Sequence, residues 1–162
     1  MLVEQWTKIS HSTCIMQVVL IHWFMPKRTK DLRRSDCPIS FTLDLLGDKW
    51  ALLIIRDLLF KDRKYYGDFL KAEEGIATNI LADRLQKLEQ YGIFGWEMDP
   101  AHQSKVIYSL TEKGLDLLPM ILEMILWGAK HDPKTAAPKD FIQKLKKDRE
   151  GVIRKIREKL GQ

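Results

Sequence analysis

Few residues in this chain can do covalent or metal chemistry. Its 162 residues include two cysteines, Cys14 and Cys37, and four histidines, His11, His22, His102 and His131. No histidine has metal-ligand spacing, and the two thiols form neither a disulfide framework nor a thiolate zinc site, so no cofactor is expected. The usage fits the reducing cytosol. Cys37 is the one candidate nucleophile. It precedes Pro38 at a predicted helix start, with Arg33 and Arg34 close by. A helix N-terminus and positive charge both favour thiolate. Asp36 opposes it, and an unreactive thiol is the other reading. A thiol enzyme would need an assisting His or second Cys, and the sequence places none there. The expectation is a protein that is not an enzyme.

Non-covalent recognition is better represented. Around a helix at roughly 100° per residue, Ile80, Leu81, Arg84, Leu85, Leu88 and Tyr91 fall on one side. Asn79, Ala82, Asp83, Gln86 and Gln90 fall on the other. The second stripe is small and amide-rich. It suits the DNA major groove, where amides read adenine edges and Asp83 can accept from cytosine N4 or repel phosphate. A solvated helix face gives the same stripe. Arg84 sits among apolar residues, so it must find a carboxylate or carbonyl partner. It reads as a brace, not a base contact.

The elements around this helix follow from periodicity and turn residues. Ile39 to Leu46, opened by Pro38 and closed by Gly47, precedes a helix over Trp50 to Phe60 that Asp48 can cap. The latter is apolar nearly all round and belongs at the centre of a small domain. The charged loop Lys61-Asp62-Arg63-Lys64 leads to a short helix at Tyr66 to Lys71, a turn at Ala72-Glu73-Glu74-Gly75, and the striped helix from Ala77 to Gln90. Two strand-like runs, Phe94 to Met98 and Lys105 to Ser109, flank the loop Asp99 to Ser104. His102, Gln103 and Lys105 project from this hairpin and can reach a phosphate backbone or minor groove. An ordinary hairpin is the alternative. Thr111 caps a helix predicted to run to about Lys130, and Asp140 to Leu160 is predicted as one basic amphipathic helix. The order is that of a winged helix-turn-helix, mainly α with a small β-hairpin.

Charge is unevenly placed. The net +5 is carried by residues 134–162, at +6, while 26–133 comes to −1. Charge alone therefore argues weakly for nucleic acid, and a winged helix used only for protein contacts stays open. Residues 1–25 look foreign to the rest, and Met25 before the run Lys27 to Arg34 resembles an alternative translation start. The expectation is that 1–24 is poorly ordered or non-native. Thr13 to Met25 is shorter than the ~20 residues of a membrane span and lacks signal-peptide features. Leu115, Leu117, Leu118, Met120, Ile121, Leu122, Met124, Ile125, Leu126 and Trp127 crowd one helix. A small domain covers one side of it, and the surplus pairs with a second copy or lines an effector pocket.

Over residues 36–132 the chain resembles HxlR-type transcriptional regulators of the MarR-like group. The resemblance rests on Cys37-Pro38, Leu45-Leu46-Gly47-Asp48-Lys49-Trp50, Tyr66-Gly67-Asp68-Phe69, Gly75-Ile76, Leu81-Ala82-Asp83-Arg84-Leu85, Leu88-Glu89, Tyr91-Gly92 and Tyr108-Ser109-Leu110-Thr111-Glu112-Lys113-Gly114. It implies a homodimeric repressor or activator binding double-stranded promoter DNA through a winged domain at 26–133 with dimerisation helices; the basic tail at 134–162 extends beyond the family's usual end, and the cytoplasm is the expected compartment. Thr78, Asn79, Ala82, Asp83 and Gln86 are the groove-facing candidates. Lys87, His102, Gln103 and Lys105 are the backbone and wing candidates. Some such regulators carry a lone Cys before Pro, which implies that Cys37 can sense an oxidant or small electrophile. Three positions depart from the pattern. Glu74 stands for Pro, Ala77-Thr78 for Ser-Pro, and Tyr65 for a common Arg. Thr78 is the expected replacement cap.

Overall fold

The computed structural model describes residues 35–161. The expectations for residues 1–25, for Cys14, and for the basic run through Arg33 and Arg34 lie outside the described residues. The elements are α1 (Pro38–Leu46), α2 (Lys49–Phe60), α3 (Tyr66–Leu70), α4 (Thr78–Gln90), β1 (Phe94–Asp99), β2 (His102–Leu110), α5 (Glu112–Leu115), α6 (Leu118–His131), α7 (Lys139–Lys147) and α8 (Arg149–Lys159). This is a winged helix, mostly helical with one antiparallel hairpin.

Helix α2 forms the centre, burying Ala51, Ile54, Ile55, Leu58 and Leu59. Asp48 caps it, accepting from the amides of Trp50 at 2.9 Å and Ala51 at 3.4 Å. Asp57 is buried on the same helix. Arg56 and Arg63 reach its carboxylate at 2.6 and 2.9 Å, so the buried group has two basic partners. Arg56 also pairs with Glu74, and that guanidinium holds the Glu74 carboxyl down at about 2. Glu74 thus ties the turn before α4 to α2.

The end of α4 is set by Gly92, whose φ of 66° suits glycine. Gly92 N donates to Glu89 O at 2.8 Å and Ile93 N to Leu88 O at 2.9 Å. This double closure satisfies the last carbonyls and aims the chain into β1. The hairpin pairs Phe94 with Leu110 and Trp96 with Tyr108. Tyr108 is buried, edge-on to Phe69 and Phe94 with ring centres 5.9 and 5.4 Å away. Burial pushes its phenol pKa up.

Three boundaries differ from those the sequence predicts. The hairpin loop is only Pro100-Ala101, so His102, Gln103 and Lys105 belong to β2 and not to a loop. Asp99, expected in an unanchored loop, is 4% exposed and accepts from Ala101 N at 2.8 Å. The helix expected from Thr111 to Lys130 is two, α5 and α6, because Pro119 has no N–H to continue the ladder. The single C-terminal helix is also two. Asp148 leaves helical geometry and its side chain accepts from Gly151 N at 2.9 Å, starting α8 afresh.

The C-terminal pair packs on its own chain. Leu145 is buried in the core, and Phe141 meets Phe60 edge-on at 6.4 Å. Arg157 bridges Glu112 and Asp116 at 2.9 and 2.8 Å. Among the described residues, no helix is long and apolar enough to cross a membrane.

Candidate nucleic-acid interface

Helix α4 is fixed before it can read anything. Leu81, Leu85 and Leu88 are buried against the core. Arg84, within that buried stripe, reaches Asp48, with Nε at 2.9 Å and Nη2 at 3.1 Å from the carboxylate. The Asp48 carboxyl is held below its usual range chiefly by that contact. One carboxylate thereby caps α2 and anchors α4, so Arg84 is the brace that its position required.

The opposite side of α4 presents Thr78, Asn79, Asp83 and Gln90 exposed, with Ala82 and Gln86 half-buried. These include all five groove-facing candidates. Two differ in detail from expectation. Thr78 is the first helical residue and does not cap; Ala77 holds the cap position and offers no side-chain bond. Asp83 pairs with the neighbouring Arg84, so its carboxylate is part of the brace as well as of the outer stripe.

The start of α3 links α4 to the hairpin. Tyr66 Oη donates to the carbonyl of Thr78 at 3.0 Å. The preceding Tyr65 donates its hydroxyl to Asp99 at the hairpin's turn, at 2.8 Å. That bond raises the Tyr65 phenol pKa. The amide of Ala101, then Tyr65, lower that of Asp99. A backbone bond from Tyr108 N to Lys64 O, at 2.8 Å, lays the loop along β2.

The basic candidates are separated by this arrangement. Lys87 donates to the Asp44 carbonyl at 2.7 Å, joining α4 to the end of α1 rather than standing free toward a phosphate. His102 opens β2 and is exposed, and Gln103 follows it. Lys105 is exposed on β2, its ammonium 5.4 Å from the Tyr65 ring centre. Lys64 lies 5.9 Å from the same ring. Sequence reasoning missed Lys64, Tyr65 and Asp99 as a group. The only local hint was Tyr65 in place of Arg.

Cys37 is exposed at the cap of α1, its amide donating to Ser35 Oγ at 3.3 Å. Among the described residues no group of three or more His, Cys, Asp or Glu is placed to hold a metal. Among the described residues, large apolar side chains are exposed on three elements: Ile39, Phe41 and Leu43 on α1, Trp96 and Met98 on β1, and Met124 and Trp127 on α6.

Known proteins resemble this arrangement. The sequence profile described as HxlR-like helix-turn-helix matches residues 45–136. The HTH-type transcriptional regulator sll1512 of Synechocystis sp. is 39% identical over 57% of this chain and 68% of its own. The HTH-type transcriptional regulator YdeP of Bacillus subtilis is 37% identical over 67% of this chain and 79% of its own. Among solved structures, the redox regulator HypR in its reduced form superposes with a TM-score of 0.52 at 35% identity, covering 58% of this chain and 92% of that one.

Proposed function

From the premise that the chain belongs to the HxlR-like helix-turn-helix family, we propose that it is a cytoplasmic regulator whose homodimer binds promoter DNA sequence-specifically. It is a winged-helix protein whose relatives are named transcriptional regulators. The observation that carries the finer reading is the outward stripe of α4, with Asn79, Asp83 and Gln86 on a helix that Arg84 and Asp48 lock to the core. A rigid helix with amides outward can form paired hydrogen bonds to base edges. The uncovered faces of α1 and α6 supply the surface for a second copy, and two-fold symmetry suits paired half-sites about 10 base pairs apart.

Selection on random duplexes tests this. The expected product is a two-fold repeat. Gln86→Ala is expected to reduce preference for that sequence over scrambled duplex by about tenfold, the scale of one lost base contact. A protein-interaction module would retain no sequence, and equal losses on both duplexes would remove Gln86 from base reading.

A response to oxidants or electrophiles through Cys37 is a second part of the reading. It is supported by the exposure of Cys37 at the head of α1, the helix whose apolar face is uncovered, and by the likeness to HypR, a redox regulator. Modification there would alter the dimer and so its DNA affinity. Diamide is expected to change binding by the native chain and to leave Cys37→Ser unaffected. An equal change in both would dismiss Cys37 as the sensor.

A further inference from the structure

We propose that Tyr65 is the positioning residue of the DNA interface, gathering Lys64 and Lys105 into one station for backbone phosphate between α4 and the hairpin. The proposal rests on the DNA-binding reading and extends it to residues that neither the family match nor the relatives assign.

The station is built from separate elements. Lys64 comes from the loop after α2 and Lys105 from β2, yet both ammoniums approach one ring, at 5.9 and 5.4 Å. Cations are drawn to an aromatic face, and the ring gives both ammoniums one common neighbour without neutralising either. Neither lysine joins an ion pair among the described residues. Both are exposed. An anion arriving beside either ammonium finds a donor with no carboxylate already paired to it.

The ring itself is held on both sides. Its hydroxyl bonds to Asp99, which is buried. Its own amide donates to Asp68 at 3.2 Å. Asp99 and Asp68 are thus occupied by internal donors, while Asp62, in the loop of Lys64, also acts on the ring. Because Tyr66 bonds to the Thr78 carbonyl, consecutive tyrosines tie the hairpin and the first turn of α4 to one point. A phosphate held there would set how deep the groove-facing stripe enters.

The test is fluorescence anisotropy on a mixed-sequence duplex across a salt series, with the full chain. Lys64→Ala and Lys105→Ala are each expected to flatten the salt slope by about 0.9, the effect of one phosphate contact. Tyr65→Phe keeps the ring and removes the Asp99 bond. It is expected to weaken binding by about fivefold, one hydrogen bond's worth, with the slope unchanged. A residue with a merely structural role would lower the melting temperature and leave affinity below the melt intact. A native slope in Lys64→Ala, on a chain that still binds duplex, overturns the station and spares the DNA-binding reading. A native chain that ignores duplex at low salt overturns that reading itself.

Discussion

Gly114→Ala is expected to cost about 3 kcal/mol and lower the melting temperature by about 10 °C, measured by far-UV circular dichroism. A Cβ on Gly114 would lie 2.0 Å from the carbonyl oxygen of Ile93, a backbone atom that cannot swing aside. The approach is this close because α5 docks end-on against the closure of α4. Thr111 Oγ1 donates to Gly92 O at 2.7 Å and accepts from Gly114 N at 3.2 Å, while Thr111 N donates to Ile93 O at 3.1 Å. Lys113 completes the joint at the Tyr91 carbonyl, at 2.8 Å. Moving α5 outward to seat a methyl would break this set together. A change below about 2 °C would mean that α5 floats on the domain, and that the Thr-Glu-Lys-Gly segment has no close backbone approach to protect.

That segment shows why much of the fold was legible. Thr111, Asp48 and Gly92 act on their own neighbours in the chain, so their residue types announce a cap, a cap and a left-handed stop. The buried stripe of α4 was equally plain, as was the need of Arg84 for a partner, and Asp48 meets that need. The break at Asp148 was hidden because Leu145, Val152, Ile156 and Leu160 keep a helical phase across it. Only the bond from Gly151 N to the Asp148 side chain ends one helix and starts the next. The candidate site was legible where one helix carries it and opaque where elements meet. Nothing local distinguishes Lys87, which turns inward to Asp44, from Lys105, which stays exposed beside Tyr65. Nor does the charged loop 61–64 reveal that Arg63 serves buried Asp57 while Lys64 faces the hairpin. Such assignments depend on contacts between distant positions, which periodicity does not encode.

The second large effect is expected from Trp127→Glu. Trp127 is 68% exposed and Met124 48% exposed on α6, while Ile39 and Leu43 on α1 are 70% and 53% exposed. In the proposed dimer these uncovered side chains supply the association surface. The rest of α6 is already occupied, since Leu118, Ile121 and Leu122 are buried and α7 packs beside it. A carboxylate at position 127 would have to lose water to enter a dimer interface, with only Lys130 and His131 of its own last turn as basic neighbours along the helix. In the lone chain it would remain hydrated, so the melting temperature of the monomer should hardly move. Light scattering after gel filtration should read a dimer for the native chain and a monomer for the variant. Affinity for a two-half-site duplex should fall by at least about a hundredfold, because linking two sites raises binding by about that factor or more. Affinity for a single half-site should stay the same, since α4 and the hairpin lie within one chain. A variant that remains dimeric would move the interface away from α6. A monomeric variant that keeps full affinity for the paired site would show that one chain reads DNA alone, and the symmetry argument for half-sites would go with it.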